Sequence, residues 1–114
     1  MIELIDLAGA YHRRVVVQEV SLRFSAASIT AVIGPNGCGK STLLKLCCGH
    51  LAQHSGQILV EGQALRQLSR RQIAQRISYM PQRRTTPDIS AESLVLHGRF
   101  CWLGYPRVYG SADR

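Results

Sequence analysis

The glycine-rich segment at residues 34–42 constrains this chain more than any other feature of its sequence. It reads Gly34-Pro35-Asn36-Gly37-Cys38-Gly39-Lys40-Ser41-Thr42 and matches the phosphate-loop pattern G-x-x-x-x-G-K-[ST]. Such a loop follows a strand and opens a helix, whose free amides and dipole attract anionic oxygen. The apolar, β-branched run 28–33 predicts a buried strand before the loop. Apolar residues at helical spacing predict the helix after it: Leu43, Leu44, Cys47, Cys48 and Leu51.

The residue types inside the loop suit the chemistry of a phosphate chain. Gly34, Gly37 and Gly39 allow the backbone to curl so that successive N–H groups point at phosphate oxygens. Lys40 supplies a positive charge for the outer phosphates, and Ser41 offers a hydroxyl to the Mg²⁺ that accompanies nucleotides. We therefore expect the whole segment, from Gly34 to Thr42, to bind a nucleotide. The alternative is a glycine-rich turn with an incidental lysine.

The remainder of the chain alternates short strand and helix patterns. Period-2 alternation at 2–7 and 15–24 predicts two antiparallel strands with one solvent-exposed face. The later elements are expected to be strands at 57–61 and 77–80, a helix from Ser69 through Arg76, and a helix at 91–97 capped by Ser90 and ended by Gly98. The pattern as a whole is that of an α/β fold.

Composition limits the classes of partner and compartment. A length of 114 residues suits one domain, and 46% hydrophobic with 18% charged residues is a globular balance. The chain has no apolar run of about twenty residues and its start is not that of a signal peptide, so we expect a cytoplasmic protein. The four cysteines form no C-x-x-C pair and are expected to be reduced, mostly packed thiols.

The formal charge of +7 raises nucleic acid or anionic lipid as possible partners. However, arginines occur in scattered pairs without an interleaved aromatic pattern or a base-reading motif. We therefore interpret the charge as a solvated face and expect no nucleic-acid partner.

Three features in order resemble the nucleotide-binding subunit of ABC transporters: Tyr11, the loop at 34–42 and Tyr79-Met80-Pro81-Gln82. The run 86–95 followed by Gly98-Arg99 resembles most the ATPases of bacterial iron-siderophore and cobalamin importers. The resemblance implies a P-loop NTPase fold with an antiparallel β-subdomain. It also implies that residues 1–81 belong to the ATP-binding core and residues 82–114 to the glutamine loop and the start of the helical subdomain.

Two further site residues follow from the resemblance. Tyr11 matches the aromatic that stacks on adenine, with an ordinary strand-end tyrosine as the alternative. Gln82 matches the glutamine that contacts Mg²⁺ or the attacking water and couples the site to the membrane subunits, although it could be a polar loop residue. The implied ligands are ATP and Mg²⁺, the latter held by Ser41 and Gln82. The implied assembly is a homodimer with membrane subunits at the cytoplasmic face of the inner membrane.

Several motifs of the family are missing from this sequence. It contains no Ser-Gly-Gly-Gln signature, no apolar strand ending in the Mg²⁺ aspartate and catalytic glutamate, and no switch histidine. Residues 54–57 and 58–61 resemble two of these motifs, but both precede Gln82, where a turn and a hairpin explain them. The chain therefore looks like the N-terminal part of such an ATPase, either naturally truncated before the helical subdomain is complete or incomplete as a sequence.

These observations favour ATP binding within an importer ATPase that takes up an iron-siderophore or a related metal chelate or vitamin. Since no catalytic residue is recognisable, we expect this chain alone not to hydrolyse ATP. One alternative is a non-catalytic fragment that binds nucleotide weakly. Another is a different P-loop protein, a GTPase or small-molecule kinase, although the guanine-reading Asn-Lys-x-Asp motif is absent.

Overall fold

The computed structural model describes residues 1–11, 14–82, 88–106 and 108–113, which form two compact units, Met1–Ser69 and Arg70–Arg114. The described part of the first unit contains β1 (Ile2–Tyr11), β2 (Arg14–Phe24), α1 (Lys40–Cys47), β3 (Ser55–Val60) and β4 (Gln63–Ala64). The second contains α2 (Arg70–Arg76) and α3 (Ala91–His97). Short 3-10 turns occur at Leu65–Gln67 and Ser111–Asp113. Within the described ranges, none of the helices has the length and apolar character needed to cross a bilayer.

The four strands form one antiparallel sheet in the order β2-β1-β3-β4. Strand β1 is central, and its Leu4 lies opposite Leu22 of β2 on one side and Ile58 of β3 on the other. The predicted strands at 2–7, 15–24 and 57–61 and the antiparallel β-subdomain are therefore confirmed. Their alternating sequences suit a sheet that buries one face and leaves the other in solvent.

A break in the β1 register places both Leu4 and Leu7 in the core. Strict alternation would put residues three apart on opposite faces of the sheet. Pairing with β2 shifts between Leu4 and Leu7, where Asp6 adopts a φ of 47°. Ser21 stabilises this irregularity, since its hydroxyl accepts from the Asp6 amide and donates to Asp6 Oδ1, both at 2.9 Å. The extra residue resets the alternation, and both leucines are fully buried.

A tight hairpin joins β3 to β4. Glu61 and Gly62 have φ values of 53° and 81°, and Val60 pairs with Gln63 across them. Two consecutive positive φ values are the geometry of a type I′ hairpin turn. The acidic residue that ends 58–61 is thus a turn residue, as predicted. The turn predicted at 54–57 is wrong from Ser55 onward, because residues 55–57 pair with β1 as the start of β3.

Helix α1 packs directly on the sheet. A Cβ added to Gly9 of β1 would overlap the side chain of Leu46, which is fully buried. A glycine inside a strand often marks such a close approach. The contact fixes the helix, and with it the glycine-rich loop at the N-terminus of the helix, against β1.

The prediction of a strand at 28–33 is wrong. This segment has no regular secondary structure, and Ile29 and Ile33 are 101% and 91% exposed. The strand predicted at 77–80 is also absent, and Met80 is exposed. A continuous apolar run is typical of a strand hydrogen-bonded along both edges. No strand in the described part of the chain lies beside either segment, so the backbone bonds that would stabilise them do not form.

In the second unit, both predicted helices are confirmed. Helix α3 begins after Ser90, whose hydroxyl accepts from the Ser93 amide at 3.2 Å, and it is followed by Gly98 as its C-cap. Helix α2 contacts the segment after α3, because Arg71 Nε and Gln75 Nε2 both donate to the Cys101 carbonyl at 2.9 Å. Arg99 and Asp113 form an ion pair at 3.1 Å.

Candidate functional site

The glycine-rich loop folds around two left-handed glycines. Gly37 has a φ of 84°, and Gly39 has a φ of 102° and forms the N-cap of α1. The Leu43 amide donates to the Gly39 carbonyl at 2.9 Å, which closes the first helical turn. Gly39 has no side chain to cap the helix, so the first amides of α1, at Lys40 to Thr42, lack an intrahelical partner. They form a cluster of donors suited to an anion.

Both its φ and the limited space around it favour glycine at position 39, the end of this loop. A Cβ on Gly39 would lie 3.1 Å from the Val16 carbonyl oxygen and 3.3 Å from Val16 Cγ1 of β2. A Cβ on Gly34 would lie 2.8 Å from Cys38 Sγ. A larger residue at Gly39 would therefore press on the backbone of β2, whereas at Gly34 a rotation of the Cys38 side chain could relieve the contact.

Lys40 is held by its own loop. Its Nζ donates to the carbonyl oxygens of Gly34 at 2.7 Å and Pro35 at 2.8 Å, and lies 3.8 Å from Cys38 Sγ. Because an ammonium has three N–H donors, two are used by the carbonyls at the start of the loop. The lysine thus ties the two ends of the loop together and fixes its positive charge beside the helix N-terminus.

The two hydroxyl residues after Lys40 lie in different environments. Ser41 is exposed in the first turn of α1, where its hydroxyl is accessible to a ligand or metal. Thr42, in contrast, is only 6% exposed and packs into the first unit. The loop residues Pro35, Asn36 and Cys38 are exposed.

A cavity of about 360 Å³ opens beside the loop. Its walls are mainly apolar side chains of β2, of the 32–33 segment and of α1, and the loop contributes Cys38, Gly39 and Lys40. This volume is at the lower end of the range for small-molecule sites. Val16 and Val17, which line the cavity and support Gly39, were not singled out from the sequence. The Gly9 position in β1 was the available signal that a helix approaches here.

Tyr11 and Gln82, the two site residues implied by the resemblance, lie at the edges of the described part of the chain. Tyr11 ends β1 opposite Arg14, but its side chain lies outside the described residues. Gln82 is exposed in the second unit, immediately before residues 83–87, which also lie outside the described part. Their roles remain predictions.

The cysteines divide into packed and exposed thiols. Burial, together with the neighbouring Cys48, raises the pKa of the Cys47 thiol from 9.0 to about 11. Burial also raises the pKa of Cys48. Both are therefore protonated at neutral pH and are poor metal ligands. Cys38 is exposed, so the expectation of packed thiols does not hold there. Among the described residues, no group of three or more His, Cys, Asp or Glu could hold a metal ion.

Three of the described carboxylates bond to groups of their own unit. The Asp6 carboxylate accepts from Ser21, and Glu3 pairs with Arg23 at 3.4 Å. The Gly110 amide and the Arg99 side chain hold the pKa of Asp113 below its usual range. These groups stabilise turns and strands in their own units.

The antiparallel sheet, the glycine-rich loop and the helix that follows it define an ABC-type ATP-binding fold. Residues 17–100 match the family model described as ABC transporter, and the chain therefore belongs to this family.

Individual relatives extend the comparison. The chain is 36% identical to the iron(3+)-hydroxamate import ATP-binding protein FhuC of Bacillus subtilis, over 83% of this chain and 36% of that protein. It is 35% identical to the manganese transport system ATP-binding protein MntB of Bacillus subtilis, over 98% of this chain and 44% of that protein. A solved structure described as the ATP-binding subunit of an ABC transporter superposes with a TM-score of 0.75 at 26% identity, over 90% of this chain and 42% of that chain. The chain thus spans less than half the length of these relatives.

Proposed function

We propose that this chain binds ATP as part of an importer ATPase, at the cytoplasmic face of the inner membrane. The observation that carries the proposal is the loop of left-handed glycines that opens onto the N-terminus of α1, with Lys40 fixed across it. The imported cargo is an iron-siderophore or a related metal chelate or vitamin. The names of the relatives FhuC and MntB, which concern iron(3+)-hydroxamate and manganese, support a metal-containing cargo.

The residues of the loop have distinct roles in this proposal. The amides at the start of α1 and the glycine backbone bind the phosphate oxygens, because they combine free N–H groups with the positive end of the helix dipole. Lys40 neutralises the outer phosphates. The exposed hydroxyl of Ser41 would hold Mg²⁺, which would neutralise part of the charge of the nucleotide phosphates. The resemblance implies a further contact of Mg²⁺ with the amide oxygen of Gln82.

Other parts of the chain are assigned to the nucleoside and to the partner proteins. Tyr11 stacks on the adenine ring at the end of β1. Membrane subunits dock near the Gln82 loop, and the ATPase works as a homodimer. Choice of cargo belongs to the membrane subunits and to a separate binding protein.

Replacing Tyr11 by alanine is expected to weaken ATP binding about tenfold, since a base stacked on an aromatic ring contributes on the order of 1–3 kcal/mol. Inorganic phosphate, which has no base, should bind equally to both proteins. Isothermal calorimetry with the purified chain and both ligands measures the two affinities. Absence of saturable ATP binding by the unaltered chain would contradict the proposed function itself, whereas equal losses for both ligands would contradict only the stacking role.

The purified 114-residue chain is expected to show no ATP turnover above background. Phosphoryl transfer requires a carboxylate that holds Mg²⁺ and a group that orients water. The three aspartates of the sequence, Asp6, Asp88 and Asp113, do not follow a buried apolar run. Phosphate release measured with the chain and with Lys40→Ala provides the test. Release that depends on Lys40 would show that the chain carries its own catalytic groups.

A further inference from the structure

Helix α1 lies against the central strand of the sheet at Gly9. A Cβ at this position would overlap Leu46 Cδ1 and would lie 3.1 Å from Leu46 Cδ2 and 3.3 Å from Leu46 Cγ. Both methyl groups and the branching carbon of the leucine therefore crowd the space that a larger residue would need. Gly9 does not have a positive φ. The close approach of Leu46, rather than the backbone conformation, is thus the reason that glycine is favoured here.

Leu46 cannot release this space by turning its side chain. The residue is fully buried, in the core that also contains Leu4, Leu7 and Ile58. Since protein interiors are close-packed, a buried leucine has no open space into which it could rotate. A side chain at position 9 would therefore push helix α1 away from β1.

The face of α1 that carries Leu46 also carries the beginning of the phosphate site. Thr42 lies one turn before Leu46 and is buried on the same face of the helix. Lys40 is the first residue of the helix, less than two turns from Leu46. Because the helical hydrogen bonds join these residues into one short rigid element, a displacement at Leu46 also moves the amides of Lys40 to Thr42.

We propose that Gly9 is a positioning residue for the phosphate site. Because it has no side chain, Leu46 can pack α1 on β1 at the depth at which the first amides of the helix meet the nucleotide phosphates. The inference rests on the proposed function, since it concerns the same loop. Groups that bind a ligand must be held within about 0.5 Å of their productive geometry. A small displacement of α1 therefore lowers affinity although every residue of the loop is unchanged.

Gly9→Ala should weaken ATP binding about tenfold, the loss expected for one hydrogen bond to a charged group. Isothermal calorimetry with ATP and Mg²⁺ measures the affinity, and circular dichroism confirms that the variant is folded. Unchanged ATP affinity in folded Gly9→Ala would overturn the inference and leave the proposed function intact. Absence of saturable ATP binding by the unaltered chain would contradict the proposed function, and the inference with it.

A compensating substitution on the helix separates positioning from general destabilisation. Leu46→Val removes one carbon and leaves no Cδ atoms, so combined with Gly9→Ala it keeps the volume at the contact constant. The double variant should bind ATP within about twofold of the unaltered chain. Leu65, buried in the short turn after β4, provides the matched control. Gly9→Ala combined with Leu65→Val should remain weakened. Rescue by both second substitutions, or by neither, would overturn the inference.

Leu46→Val alone tests the same contact if Gly9→Ala does not fold. It opens a gap of one carbon between α1 and β1 without introducing a clash, and it should weaken ATP binding severalfold. Leu65→Val alone opens a gap of the same size in a turn that packs on β3, and it should bind ATP as the unaltered chain does. Equal ATP affinities for these two variants would show that the contact between Gly9 and Leu46 does not position the loop.

Discussion

Lys40→Ala is expected to weaken ATP binding by about 10- to 150-fold, as measured by calorimetry with Mg²⁺ present. Hydrogen bonds to charged groups contribute about 1.5–3 kcal/mol, and each 1.4 kcal/mol is a tenfold change in affinity. The structure adds a second reason for a large effect. Lys40 Nζ also bonds the carbonyl oxygens of Gly34 and Pro35, so its removal releases the start of the loop from the start of α1.

Lys45→Ala is the matched control for this experiment. It removes the same charge from the last turn of α1, away from the loop, and should leave the ATP affinity within about twofold, as surface charge contributes little at a distance. Adenosine, which carries no phosphate, should bind equally to both variants and to the unaltered chain. Unchanged ATP affinity in Lys40→Ala would show that the loop is not the phosphate site.

Gly56→Ala is expected to lower the free energy of unfolding by about 3 kcal/mol or more. Gly56 has a φ of 80°, which costs an L-residue roughly 1–2 kcal/mol. A Cβ at this position would also overlap the carbonyl oxygens of Ile5 and Asp6 in β1. Since backbone atoms cannot rotate away as a side chain can, β3 would have to move from β1, at a further cost of about 1–3 kcal/mol.

Gly62→Ala separates the two contributions. Gly62 has nearly the same φ, 81°, but a Cβ there would meet no atom within 4 Å. Its loss should be limited to the conformational cost of about 1–2 kcal/mol. Urea denaturation, with the midpoint compared at constant slope, measures both values. Equal destabilisation by the two substitutions would show that β1 and β3 are not as close at Gly56 as the structure places them.

Local sequence patterns predicted the elements whose stability is mainly local. The alternation in β1 and β2, the helical spacing after the loop and the Ser90 cap each correspond to an observed element. The hairpin at Glu61–Gly62 was also predictable, because glycine at a positive φ is favourable in such a turn. These signals depend on side-chain period and backbone preference, which neighbouring residues determine.

Two of the predicted strands are absent from the structure, and the reason is not local. The β-branched run 28–33 has strong strand propensity, yet Ile29 and Ile33 are exposed and unpaired in the structure. Strand propensity expresses how well a residue fits a half-buried pleated surface, and it has little effect without neighbouring strands. Residues 77–80 likewise form no strand, and Pro81, which follows them, has no backbone N–H to donate to a neighbouring strand. Pairing partners, rather than composition, decide whether such segments form strands.

The sequence by itself determined the chemistry of the candidate site. The spacing of glycines, lysine and hydroxyl residues in 34–42 specifies a backbone that can curl, a fixed positive charge and a free hydroxyl. Only the tertiary structure decided how that loop is held: Gly39 lies against Val16, Leu46 packs over Gly9, and Lys40 bonds the loop carbonyls. The physical reason is that residue types set what a segment can bond, whereas close packing between distant segments sets where those bonds point.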